Sequence, residues 1–260
     1  MLEIPRIQVW SATELEAHVF PDEPWLIEPV MRRGDVWLCA GDADSFKSLL
    51  LLQLMIHASL GVDYLYFKIE KPVKILYINA DDNAREVQER IKKLNTTGMP
   101  LNDNLQLICQ PCLFLNYQGI EQVKLWVRDY NPDIIIIDHL GGFVEGGTVD
   151  QHGMQGYLQL KNWICSQDKS LVSVAHTIRE TKENETYDVI RKIAGIGLIK
   201  SLHGIITYQQ VLEPGVVAKE DRFKFELARN KNMTRKLRES YDTVFKVKDL
   251  TNGRVLLQED

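Results

Sequence analysis

The segment NPDIIIIDHL, residues 131–140, sets four consecutive isoleucines between two aspartates. A β-branched run with no polar alternation fits a short strand covered by protein on both faces. Four further runs share that apolar texture: DVWLCA at 35–40, VKILYIN at 73–79, LQLIC at 105–109 and LVSVA at 171–175. Helical patterns fall between them, at about 47–60, 84–95, 120–130 and 154–167. Strands alternating with helices predict an α/β fold, a mostly parallel sheet flanked by helices. From residue 204 the runs shorten to GIITYQQV, FKFELA, TVFKVK and RVLLQ, with a turn signal at TNG, 251–253. These are expected to form a C-terminal antiparallel extension of the same sheet.

Ahead of the first strand, SATE at 11–14 is a capping-box pattern that opens a short helix. PDEPW, which follows, reads as extended. The chain of 260 residues is 45% hydrophobic and 26% charged, the balance of an ordinary globular protein. No run reaches the ~18 apolar residues of a membrane span, and MLEIPRIQVW lacks a basic-then-apolar signal pattern. The expectation is a cytoplasmic protein with no membrane partner. A net charge of −5 opposes nonspecific attraction to nucleic acid but leaves room for a local basic groove. Cys39 and Cys165 sit in apolar runs as core fillers. Cys109 and Cys112 form CQPC without a second ligand pair nearby, so they read as two ordinary thiols at a strand end rather than a zinc or redox site.

The segment GDADSFKS, Gly41 to Ser48, stands between a buried-type strand and a strongly apolar helix that ends at Gly61. That is the context of a phosphate-binding loop, where backbone N–H groups and a helix N-terminus surround an anion. Gly41, Asp42, Ala43, Asp44, Ser45, Phe46, Lys47, Ser48 and Leu49 would then hold the phosphates of a nucleotide, with Lys47 on their charge and Ser48 on Mg²⁺. Phe46 occupies the place usually held by glycine. Either residue 46 is αR-like with its ring turned from the phosphates, or the site is crippled. On this segment alone, an accidental Lys-Ser at the start of a core helix is an equal reading.

Acids at the ends of other strands favour the nucleotide site. Asp138 closes the isoleucine run; in phosphate-loop proteins a carboxylate there holds the magnesium shell through water, although a strand-terminal aspartate that simply starts a turn would look the same. Asp81 and Asp82 follow LYINA, and a carboxylate there could orient and deprotonate an attacking water. Asp81 is preferred for that chemistry and Asp82 for capping the next helix, with Asn83 the other possible cap. His176 ends the run LVSVAH, either as a γ-phosphate sensor or as a hydrogen-bonded core histidine.

In this order, the motifs resemble the RecA-like P-loop ATPases, above all the branch of RepA-type and DnaB-like hexameric replicative helicases. WLIEPVMRRGDVWLCAGDADSFKS, LYINAD, IIIIDHLGGF and VAHTIRE carry the resemblance, which spans roughly residues 25 to 250. It implies an N-terminal segment, 1–24, and a RecA-like ATPase domain, 25–260. It also implies a homo-hexameric ring, hydrolysis of ATP with Mg²⁺, and a basic pair reaching the site from the neighbouring subunit. Arg229 and Lys231 have the spacing of that pair in reversed order, although a solvated charged edge strand would look the same. The branch places glutamate where this chain has Asp81.

Two loops would face the ring's channel. GGFVEGGTVDQHG, 141–153, reads as a glycine-rich mobile loop, and the segment 177–200 carries Arg179, Lys182, Arg191, Lys192 and Lys200. The resemblance assigns them to single-stranded DNA, while interspersed acids dilute the basic signal. The function implied is a hexameric helicase or translocase in replication or recombination. The alternative is a slowly hydrolysing ATP-binding switch or assembly factor acting on protein partners.

Overall fold

The computed structural model describes residues 9–19, 24–41, 46–143, 151–176, 202–210, 222–230, 243–249 and 255–259. The first element among the described residues is α1 (Ala12–Ala17), where Ser11 and Glu14 form the expected capping box. A hairpin of β1 (Trp25–Ile27) and β2 (Met31–Arg32) follows. Then come β3 (Val36–Gly41), α2 (Lys47–Leu60), β4 (Ile75–Asn79), α3 (Ala84–Leu94), β5 (Leu105–Cys109), α4 (Tyr117–Tyr130) and β6 (Ile134–Asp138). A 3₁₀ turn, Leu140–Phe143, precedes α5 (Gln151–Ser166), β7 (Ser170–His176) and β8 (Gly204–Gln210). The last strands are β9 (Arg222–Asn230), β10 (Thr243–Asp249) and β11 (Val255–Glu259).

The main sheet has the order β11-β10-β9-β8-β3-β7-β6-β4-β5. Its six strands from β8 to β5 are parallel, and β9, β10 and β11 extend it antiparallel. The sequence places β8 in the antiparallel extension, whereas the structure runs it parallel to β3, from Trp37 opposite Gly204 to Gly41 opposite Tyr208. The segment between β7 and β8 is long enough for the crossover that a parallel neighbour needs. The β1–β2 hairpin carries no turn signal strong enough to be read in advance. Of the glycine-rich segment at 141–153, the first residues lie in the 3₁₀ turn and the last open α5, while 144–150 lie outside the described residues.

Strand periodicity divides the core. Trp37, Cys39, Ile75, Tyr77, Ile134, Ile136, Val172 and Val174 face α2, while Val36, Leu38, Leu76, Ile78, Ile135, Ile137 and Leu171 face α4 and α5. This explains why the strand runs lack polar alternation: both faces are covered. Helix α2 is itself apolar all round, and every residue but Ser48 and Leu49 is buried. Its outer side is roofed by Leu26, Ile27 and Met31 of the hairpin with Tyr64, Phe67 and Ile69. Gly61 ends it at φ 70° with its N–H on the Ala58 carbonyl. Cys39 is buried, Cys112 is exposed, and the four cysteines are free. Among the described residues no helix is long and apolar enough to cross a membrane.

Gly204 sits opposite Trp37, and a Cβ there would lie 2.3 Å from the indole ring, itself buried. Gly204→Ala is expected to destabilise the protein by about 1–3 kcal/mol through overpacking. A urea titration should show a lower midpoint with an unchanged slope.

Candidate functional site

Parallel strands bring their C-terminal ends to one edge, the usual place for a ligand crevice in an open α/β sheet. Register sets Gly41 beside His176 and Asn79 beside Asp138. A pocket of about 310 Å³ opens there, lined by the start of α2 and by the ends of β4, β6 and β7. Phe46, Lys47, Ser48, Leu49, Asp81, Asp138 and His176 all line it. Gly41 ends β3 at the same edge, and Asp42, Ala43, Asp44 and Ser45 lie outside the described residues.

Phe46 corrects the sequence reading. Its backbone is left-handed, φ 57° and ψ 12°, rather than αR-like. This is the conformation that glycine adopts without penalty at such a junction. Phe46 O accepts from Leu50 N at 2.9 Å, so the helix begins immediately after it. Among the described residues no side chain caps this end of α2, whose first N–H groups point the positive end of the helix dipole toward the pocket.

Lys47 is 3% exposed, and its Nζ donates to His176 Nδ1 at 2.9 Å. Ser48 Oγ donates to Asp138 Oδ1 at 3.0 Å, and the Tyr77 hydroxyl donates to Asp138 Oδ2. Both carboxylate oxygens are thus engaged while the residue is almost wholly buried. Burial holds the Asp138 carboxyl above its ordinary range, and the hydrogen bonds from Tyr77 and Ser48 pull the other way. Burial and the neighbouring Asp138 charge push the Tyr77 hydroxyl well above its usual value.

The acid turn after β4 is built around Asn79. Its Oδ1 accepts from Asp81 N at 2.9 Å and Asp82 N at 2.7 Å, an Asx turn that sends the two aspartates apart. Asp82 pairs with Arg90 of α3 and accepts from Asn79 Nδ2. It does not cap α3. Asn83 does, accepting from Arg85 N and Glu86 N, with Glu86 completing a capping box. The cause is the Asx turn, which commits Asp82 to Asn79 and Arg90 before the helix starts. Asp81 reaches His139, with Nδ1 to Oδ2 at 2.8 Å, and the His139 ring stands edge-on to His176 with centroids 4.7 Å apart.

Sequence reasoning missed Tyr77, Asn79, Arg90 and His139. Only His139 had a local signal, its place immediately after Asp138. Arg229 belongs to β9 opposite Ile205, which pairs with Leu38. That level is three residues short of Gly41, so the register does not bring Arg229 to the pocket of its own chain. Lys231, Arg179, Lys182, Arg191, Lys192 and Lys200 lie outside the described residues.

The donor set suits a nucleoside triphosphate with Mg²⁺. A lysine and a helix N-terminus meet phosphate charge, and an adjacent hydroxyl and carboxylate are the hard oxygen groups that the ion favours. A family model described as AAA domain matches residues 2–182. No curated protein matches the chain. Among solved structures, a KaiC-like protein from the hyperthermophilic archaeon Pyrococcus horikoshii aligns with a TM-score of 0.56 and 10% identity. The alignment covers 90% of this chain and 93% of that one. At this identity the likeness speaks for the fold alone, and the fold is RecA-like.

Two outcomes follow from the local geometry. Phe46→Gly should leave Mg²⁺-ATP affinity within about threefold, because the backbone keeps its conformation, whereas the β-branched Phe46→Val should lose ~1–2 kcal/mol of stability or more. Calorimetry and thermal unfolding would read both. For Asp138, a folded-state pKa raised above the unfolded value means that its stability contribution is fullest below the unfolded pKa and falls as pH rises through the folded one. At neutral pH Asp138→Asn should therefore relieve the cost of the buried charge, and thermal unfolding without nucleotide should show a higher midpoint.

Proposed function

The chain belongs to the AAA-domain family, and on that premise we propose that it is an ATP-hydrolysing motor that works as a homo-hexameric translocase or helicase on single-stranded DNA. One observation carries the hydrolytic reading: Lys47–His176 and Ser48–Asp138 converge on a pocket that Asp81 also lines. In this reading Lys47 and the N–H groups at the start of α2 hold the β- and γ-phosphates. Ser48 would ligate Mg²⁺, and Asp138 would hold its water shell. The ion, when bound, neutralises phosphate charge as a Lewis acid.

Asp81 orients a water toward the γ-phosphorus. The new bond forms from the water oxygen as the bond to the bridging oxygen breaks; the electron pair leaves with ADP, and the water's proton passes to Asp81. His176 would sense whether the γ-phosphate is present, a role that its bond to Lys47 supports. Its strand leads directly into the segment 177–200, with Arg179, Lys182, Arg191, Lys192 and Lys200. Repeated around a ring, these residues would concentrate positive charge for DNA despite the acidic protomer. The register of Arg229 away from its own pocket is compatible with service in a neighbour's, with Lys231 beside it in sequence.

A second reading, a slowly hydrolysing switch acting on protein partners, is favoured by Asp81, one methylene shorter than glutamate. Turnover measured with and without single-stranded DNA separates the two. The motor should be stimulated and should enlarge to a hexamer on sizing with Mg²⁺-ATP; a switch should turn over slowly and ignore DNA. Lys47→Ala should lower kcat/KM by about a hundredfold or more, and an unchanged value would remove both readings.

A further inference from the structure

Asp81 is held from three directions. Its N–H donates to Asn79 Oδ1 at 2.9 Å, its carbonyl accepts from the Gln110 side-chain amide, and its carboxylate meets His139 Nδ1 at 2.8 Å. Only Asn79 is a neighbour in sequence. Gln110 follows β5 and His139 follows β6, so adjacent strands on both sides of β4 close on this residue. Gly142 permits the approach: a Cβ there would stand 2.6 Å from Ala80 Cβ and 3.7 Å from Asp81 Oδ1. The backbone is already pinned by Asn79 and Gln110. The remaining freedom is the rotation of a short side chain that is 59% exposed.

We infer that His139 is a positioning residue: its Nδ1–H takes Asp81 Oδ2 and so aims Oδ1 at the attacking water. This rests on the reading of the pocket as an ATP-hydrolysing site. A carboxylate on one methylene has a single side-chain bond that moves it bodily and a second that spins it, and one fixed oxygen restricts both. The His139 ring is in turn set edge-on against His176, which accepts from Lys47. Asp81, His139, His176 and Lys47 therefore form one chain of contacts across the mouth of the pocket. The clamp compensates for the reach that aspartate lacks, because placement replaces length.

The test begins without nucleotide. The imidazole ¹⁵N spectrum of the full chain should show His139 with its proton on Nδ1, and Asp81→Ala should release that tautomer. In steady state, His139→Ala should lower kcat by about 10–100-fold, the cost of misplacing a reacting group by ~1 Å. KM and nucleotide affinity should stay within about twofold, the pattern of an interaction that counts in the transition state. His139→Asn, which keeps an N–H near the Nδ1 position, should recover most of the loss. His139→Ala should cost little in an Asp81→Asn background, because the two act as one unit. Full activity or faster turnover in His139→Ala, or no recovery with asparagine, overturns the inference while leaving the hydrolytic reading intact. A wild-type protein that binds and hydrolyses no ATP removes that reading itself.

Discussion

The fold and the chemistry meet at the hydrogen bonds on Asp138. Ser48 donates to it from the first turn of α2 and Tyr77 from the middle of β4, so three elements far apart in sequence close on one buried carboxylate. The register of the sheet makes this closure possible. Tyr77 lies beside Ile136 and Asn79 beside Asp138, and the odd residues of β4 and the even residues of β6 face α2 together. A slip of one residue would turn Tyr77 to the opposite face and leave the carboxylate without its second donor. The apolar runs that form these strands therefore do more than fill a core: their packing on both sides holds the register that assembles the site.

The site in turn destabilises the protein that carries it. Taking an ion out of water costs several kcal/mol, and the hydrogen bonds return only part of that. Asp138 is accordingly held above its ordinary pKa. Lys47, also buried, adds a second charge at the same edge. What offsets both is α2, where leucine, isoleucine and methionine are buried on all sides between the sheet and the hairpin roof. Each such side chain contributes roughly 1.5–3 kcal/mol on burial. The helix that presents Lys47 and Ser48 is thus also a large part of the apolar stabilisation that tolerates them.

How much was legible in the sequence follows from the range of each interaction. The five long apolar runs and the four helical patterns reappear within a few residues of their expected bounds, because one-face and two-face burial write themselves into local periodicity. The capping box at Ser11 and the C-cap at Gly61 were equally local. The direction of β8 was not, since it depends on which side of β3 the chain returns to. Tyr77 read as one more apolar strand residue, and its bond to a residue 61 positions away has no local trace. The capping of α3 failed for a subtler reason: three consecutive polar residues, Asp81, Asp82 and Asn83, were all chemically able to cap. The choice was made by Asn79 and Arg90, which engage Asp82 first.

Phe46 shows why residue identity and backbone conformation should be argued separately. Glycine is expected at this position because it enters the left-handed region freely, and a phenylalanine there invites the conclusion that the conformation has changed or the site has failed. Neither is required. A single left-handed residue costs about 1–2 kcal/mol, a sum that the burial of one or two α2 leucines matches. With Leu50 N bonded to Phe46 O and the rest of the helix locked in the core, the chain enters α2 in one way, and the side chain at the junction conforms to it. The departure from glycine at position 46 is a departure in local energy that leaves the path of the backbone unchanged. The lysine and serine that follow therefore stand at the pocket as the spacing requires.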